Sequence, residues 1–171
     1  MATVALNDEA QLQSLLQSRR RSGMSDMDEV WEGVLHMVPA LNYDHGWVEA
    51  RLHEVLGPLA RAVGLEMIGQ SNLGASEDDF RVPDSALHPR GTSGVWHETA
   101  ALVVEIVSPN DESWLKLPFY AAHGVQEVLI VDPREHAVHW LELDGEEYRP
   151  LRRSGLIELG PRELAGQLGW S

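Results

Sequence analysis

Leu102-Val103-Val104-Glu105-Ile106-Val107 is an apolar run interrupted by a single carboxylate. Such a run predicts a strand buried on both faces, from Ala101 to Val107, in which a charge is costly unless it has a partner. Val128-Leu129-Ile130-Val131, closed by Asp132-Pro133, reads as a second buried strand. Between them a short helix is predicted, starting between Ser113 and Leu117 and stopping at Gly124; Pro118 favours the later start because it is tolerated in a first turn. Ala137 to Leu143 and Glu147 to Leu151 alternate around Asp144-Gly145, a strong hairpin signal.

Upstream the period changes. Leu12, Leu15 and Leu16 predict a helix from about Asp8 to Arg20, with Asn7 or Asp8 as its cap. Gly23 to Asp28 reads as a connection, and Val30 to Val38 as one or two short strands that turn near Gly33 and end at Pro39. Val48, Leu52, Val55, Leu59 and Val63 recur at steps of three or four, which predicts a long helix capped by Asn42 and stopped at Gly64. Pro58 lies inside it and predicts a kink or a split. Leu65 to Ile68 reads as a strand, Gly69 to Asp79 as loop or weak strand, and Phe80 to Leu87 as one extended segment. His88 to Thr99, with Pro89, Gly91 and Gly94, reads as a mobile surface loop. A last strand near Ile157 and a terminal turn from Pro161 complete the pattern.

This order fits an α/β or α+β class: a mixed sheet flanked by helices, with a right-handed crossover between the two most apolar strands. At 171 residues the chain is expected to form a single domain over 1–171, with 1–27 as an N-terminal helical extension. With no cysteine, disulfides, thiolate zinc sites and cysteine nucleophiles are excluded. The first residues lack a basic segment followed by an apolar core, and no apolar run is long enough to span a bilayer, so a cytoplasmic protein without membrane contact is expected. Thirteen Lys+Arg stand against 27 Asp+Glu, a formal net charge of -14, which opposes tight nonspecific binding to polyanions. Arg19-Arg20-Arg21 and the group Arg149, Arg152 and Arg153 are the basic clusters; each reads either as solvated surface or as phosphate contact.

The candidate chemistry rests on Asp84, at the end of Arg81-Val82-Pro83-Asp84, and on Glu105. Two carboxylates from neighbouring strands can hold a hard divalent cation and charge an attacking water. Taken singly, Asp84 also reads as a turn residue and Glu105 as an ion-paired core glutamate. Lys116 is the candidate for stabilising charge at a phosphate, or is paired with Glu112 one helical turn away. Glu29 and Glu32 flank Trp31 and are candidate additional acidic groups, with solvated surface glutamate as the alternative. His45, in the first turn of the long helix, faces either the cleft or the core. The sequence has no His-Glu-x-x-His, no Gly-x-Ser-x-Gly and no phosphate-binding Gly-x-x-x-x-Gly-Lys loop.

With these residues in place the chain resembles the Uma-two-type restriction endonuclease family, a branch of the PD-(D/E)XK nuclease superfamily. The matching stretches are Arg81 to Asp84, Leu102 to Pro109, Lys116 with Tyr120, and Gly124 to Pro133, with Glu29-Val30-Trp31-Glu32-Gly33 upstream and His45 near the family's histidine before the long helix. The resemblance implies a restriction-endonuclease-like fold, magnesium (manganese as substitute) held by Asp84 and Glu105, and phosphodiester hydrolysis of nucleic acid, DNA ahead of RNA. The superfamily's lysine two residues after the glutamate is absent, because Val107 stands there; Lys116 would supply the ammonium instead. Two other functions stay open: a noncatalytic interaction protein on a nuclease scaffold, and a hydrolase of a smaller phosphorylated substrate. Six tryptophans and the apolar strands suit a homodimer.

Overall fold

The computed structural model describes residues 9–38, 42–109 and 112–170. Helix α1 (Glu9–Ser22) leads through a short 3-10 turn to the hairpin of β1 (Glu29–Trp31) and β2 (Val34–His36). The expected caps Asn7 and Asp8 and the stop at Pro39 lie outside the described residues. Glu32 and Gly33, at φ 48° and 83°, form the two-residue turn, in a geometry that suits the twist of a tight hairpin. Helix α2 (Tyr43–Ala62) follows, and the Asn42 side chain accepts the His45 N–H at 2.9 Å, as its cap position predicts. Pro58 does not split α2: it lies exposed, where water can reach the carbonyl left without an amide partner.

Strands β3 (Leu65–Ile68), β4 (Asn72–Ser76), β5 (Asp79–Arg81), β6 (Ser85–Pro89), β7 (Trp96–His97) and β8 (Leu102–Ile106) come next. A 3-10 turn at Ser113–Lys116 runs into α3 (Leu117–Ala122), followed by β9 (Glu127–Asp132), β10 (Ala137–Asp144), β11 (Glu147–Pro150) and α4 (Pro161–Gln167). The strands make two mixed sheets. One has the order β2-β1-β5-β4-β7, the other β11-β10-β9-β8-β6-β3. The parallel pair β8·β9 is joined by the helical crossover that the two buried runs predict.

Three expectations need correction. Phe80 to Leu87 is not one extended segment, because Val82-Pro83 carries the chain from β5 in the first sheet to β6 in the second. The stretch from His88 to Thr99 is not all loop: His88 and Pro89 belong to β6, and β7 pairs in parallel with β4. Ile157 forms no strand. It is buried by a turn in which the Glu127 carboxylate accepts Ser154 Oγ at 2.7 Å and Gly155 N–H at 2.9 Å, and the chain then enters α4 rather than a simple turn.

The faces of β8 follow its alternation. Leu102, Val104 and Ile106 pack with Leu52 and Leu56 of α2 and Leu164 of α4, each full burial of that size stabilising by about 1.5–3 kcal/mol. Val103 packs on the opposite face with Phe119 and Tyr120 of α3. Glu105 shares the parity of Val103 and so points to the α3 side. Gly74, at φ 149°, lets β4 close on β5, since a Cβ there would lie 2.7 Å from the Asp79 carbonyl oxygen. Among the described residues no helix is long and apolar enough to cross a membrane.

Candidate active site

Ser85 pairs with Val104 in the antiparallel register of β6 and β8. One further step along that register brings Asp84 level with Glu105. Asp84 Oδ2 accepts the Ile106 N–H at 2.7 Å, supplying the partner that the end of β6 withholds. Its Oδ1 lies 3.0 Å from His45 Nε2 at the start of α2, and His45 Nδ1 lies 3.2 Å from Ser108 Oγ, just past β8. His45 thus faces the site, at 4% exposure.

Lys116 stands at the junction of the 3-10 turn and α3, which folds back over β8. Its ammonium donates to both Glu105 oxygens, at 3.0 and 3.1 Å, and to Glu29 Oε1 at 2.8 Å. Tyr120, one helical turn on, donates its hydroxyl to Glu105 Oε1. Glu29 is fixed from two further sides: Val82 N–H donates to Oε1 and Trp31 Nε1 to Oε2, both at 2.7 Å. Trp31 is held in turn beneath the Arg81 guanidinium, which lies 4.5 Å from its ring centre and 4.0 Å from that of Phe119.

The cluster is short of positive charge. Burial pushes the Glu105 carboxyl up to about 8; Lys116 pulls it back, while Asp84 and Glu29 add to the rise. Burial alone would depress the Lys116 ammonium, but Glu105, Glu29 and Asp84 outweigh it and hold the group charged above the ordinary lysine range. Burial and then Glu105 raise the Tyr120 hydroxyl, keeping it protonated as a donor.

The structure therefore brings together Asp84, Glu105, Lys116, Glu29 and His45. Glu32 is not among them: it occupies the exposed hairpin turn, where its N–H donates to Asp79 Oδ1 at 3.1 Å. Lys116 bonds to Glu29 and Glu105 rather than to Glu112. Sequence reading missed Glu49, whose carboxyl is raised by burial and then by Asp84; its position four residues after His45 on one helical face was the available signal. It also missed Ser108, which no periodicity singles out.

Among the described residues, no group of three or more His, Asp or Glu side chains is arranged to hold a metal ion. Magnesium needs less than that, binding through one or two carboxylates and keeping several waters. Asp84 and Glu105 offer hard oxygen donors, and a divalent cation between them would take the place of the proton that burial favours on Glu105. The donor set fits the ion.

Among solved structures, the chain is similar to a "putative nuclease belonging to DUF820" from Anabaena variabilis ATCC 29413, at a TM-score of 0.64 and 17% identity over 82% of this chain and 90% of that one. A second likeness, to the DrdV-DNA complex, has a TM-score of 0.45 and 17% identity over 92% of this chain and 13% of that one, too loose to assign a fold. No curated protein matches the chain. The model of one family, Uma2, described as "Putative restriction endonuclease", matches residues 13–169. The chain belongs to that family.

Proposed function

We propose that the protein is a metal-dependent endonuclease that hydrolyses phosphodiester bonds of nucleic acid, with DNA as the first substrate to test. The observation that carries this reading is the convergence of Asp84 and Glu105, from the facing ends of β6 and β8, with Lys116 bonded to Glu105. Side chains scattered over the surface would have favoured a noncatalytic scaffold instead.

Asp84 and Glu105 would hold magnesium, with manganese as substitute. A bound ion of this kind supplies an activated water and a Lewis acid at the phosphate. The protein's own groups do the rest. His45 and the Ile106 N–H orient the two Asp84 oxygens, while Tyr120 orients Glu105. Lys116, released from part of its contact with Glu105, places its ammonium where charge develops on the phosphoryl oxygens. Glu29 keeps that ammonium in place.

Purified protein incubated with DNA or RNA oligonucleotides and Mg²⁺ or Mn²⁺ tests the reading. Cleavage that disappears in Asp84→Ala and Glu105→Ala supports it. Absence of divalent-metal binding by calorimetry overturns it. A homodimer and a cytoplasmic location belong to the same reading and are checked by light scattering and by fractionation.

A further inference from the structure

Four of the chain's 13 Lys+Arg side chains, Arg149, Arg152, Arg153 and Arg162, fall between positions 149 and 162, a stretch holding one carboxylate, Glu158. Outside this stretch and Arg19-Arg20-Arg21 at the end of α1, acidic residues dominate. The segment folds so that three of these arginines, Arg152, Arg153 and Arg162, line one cleft of about 620 Å³ beside Leu151 and Pro161. No residue of the carboxylate cluster lines it. Arg153 is paired with Glu163 at 2.9 Å, and Arg149 with Asp144 at 2.8 Å, both at the exposed surface, where such pairs are weak and exchange readily. Among the described residues Arg152 and Arg162 have no ion pair and are exposed.

Sheet register places one wall of this cleft, the chain at Arg152, relative to the site; the other wall, α4, packs on the Leu164 face of the sheet. Glu105 is level with Ile130, and Ile130 with His139. Leu141 pairs with Pro150, and Leu151 N–H donates to the Trp140 carbonyl at 2.7 Å, carrying the same register one step beyond β11. The Arg152 backbone therefore leaves the sheet edge in the row of Glu105, three strand spacings or about 14 Å away from main chain to main chain. That span matches about four nucleotides of one strand at 3.4 Å each.

We propose that the arginine cleft is a second contact for the nucleic acid, gripping the phosphodiester backbone a few nucleotides from the bond at Asp84 and Glu105. The inference rests on the nuclease reading for its substrate and answers the difficulty that a strongly acidic chain poses for that substrate. Apart from Arg19-Arg20-Arg21 on α1, attraction is concentrated in this patch and most of the remaining surface repels, which narrows the paths open to the strand. Guanidinium forks suit phosphate oxygens, and exchange of surface carboxylates for phosphates frees Arg153 and Arg149 to join Arg152 and Arg162.

Fluorescence anisotropy with a labelled DNA of about 16 nucleotides, long enough to cover both features, tests this in metal-free buffer, where binding is read without cleavage. The wild type is expected to bind with a steep salt dependence. Arg152→Ala/Arg162→Ala is expected to weaken binding at least tenfold at low salt and to cut the slope of log K against log salt by about 2. Arg61→Ala/Arg90→Ala, the same charge change at exposed positions elsewhere, should leave the slope unchanged. No binding by the wild type, an unchanged slope in the first variant, or an equal loss in the second would each overturn the proposal. The two readings separate cleanly. Metal-dependent cleavage with unaltered KM in Arg152→Ala/Arg162→Ala sinks the cleft and spares the nuclease; patch-dependent binding without cleavage under any divalent ion does the reverse.

Discussion

Lys116 donates to both oxygens of Glu105, at 3.0 and 3.1 Å, although the two residues come from a helix junction and the middle of a buried strand run. The ammonium is the sole cation bonded to either Glu105 or Glu29 among the described residues. Replacement by methionine keeps the stem and leaves two buried carboxyl groups without their cation. Lys116→Met is expected to lose about 3–5 kcal/mol of stability in metal-free buffer and at least 100-fold in cleavage rate. Urea unfolding and single-turnover cleavage check the two losses.

The raised Glu105 carboxyl sets the pH response. Its folded pKa near 8 exceeds the ordinary 4.5, so between those values the folded state holds a proton that the unfolded chain releases. Stability from this group is present below about pH 4.5 and lost as pH rises through 8. Metal-free protein should therefore weaken between pH 5 and pH 8.5, and Glu105→Gln should flatten that decline. Chemical denaturation of both proteins across the range is the measurement; a wild-type profile that rises with pH would contradict it.

His88 acts in the opposite sense. Burial, and then His97, lower its pKa from 6.5 to about 4, and its ring nitrogen Nε2 is buried without a partner. Folding keeps it neutral, so stability is full above pH 6.5 and falls as the pH drops towards 4, by up to about 3 kcal/mol. His88→Phe should resist acid better than the wild type while leaving cleavage unchanged, as thermal melts at pH 4.5 and pH 7 would show.

Asp84→Asn keeps an oxygen for the Ile106 N–H and is expected to fold with a cost of about 1 kcal/mol, yet to bind no magnesium in calorimetry. Asp84→Ala strips that acceptor as well and should cost about 1–3 kcal/mol.

Gly74→Ala tests the small sheet. A methyl 2.7 Å from the Asp79 carbonyl oxygen at φ 149° should cost about 2–4 kcal/mol, visible as a lowered melting temperature.

Much of this was legible from residue order. The two apolar runs became β8 and β9 because only full burial explains unbroken Val, Leu and Ile, and the Asn42 cap and the Gly33 turn are local chemistry that survives folding. Asp84, Glu105 and Lys116 stood out because charge beside buried strands demands a partner. What could not be read was long-range. Val82-Pro83 looks like part of a strand until the second sheet is known, and Leu156-Ile157-Glu158-Leu159 is apolar enough to read as a strand although Glu127, 28 residues before Gly155, pins that segment as a turn. Glu29 and Glu32 are equivalent in sequence; only the positive φ at Glu32 decides which of them turns outward.

Glu29 belongs to the smaller sheet and Glu105 to the larger, and one ammonium is hydrogen-bonded to both. Lys116 is thus a rivet through two plates. Any motion that parts the plates draws the rivet from one of them, so the ammonium's hold on Glu105 and the cohesion of the two halves rise and fall together.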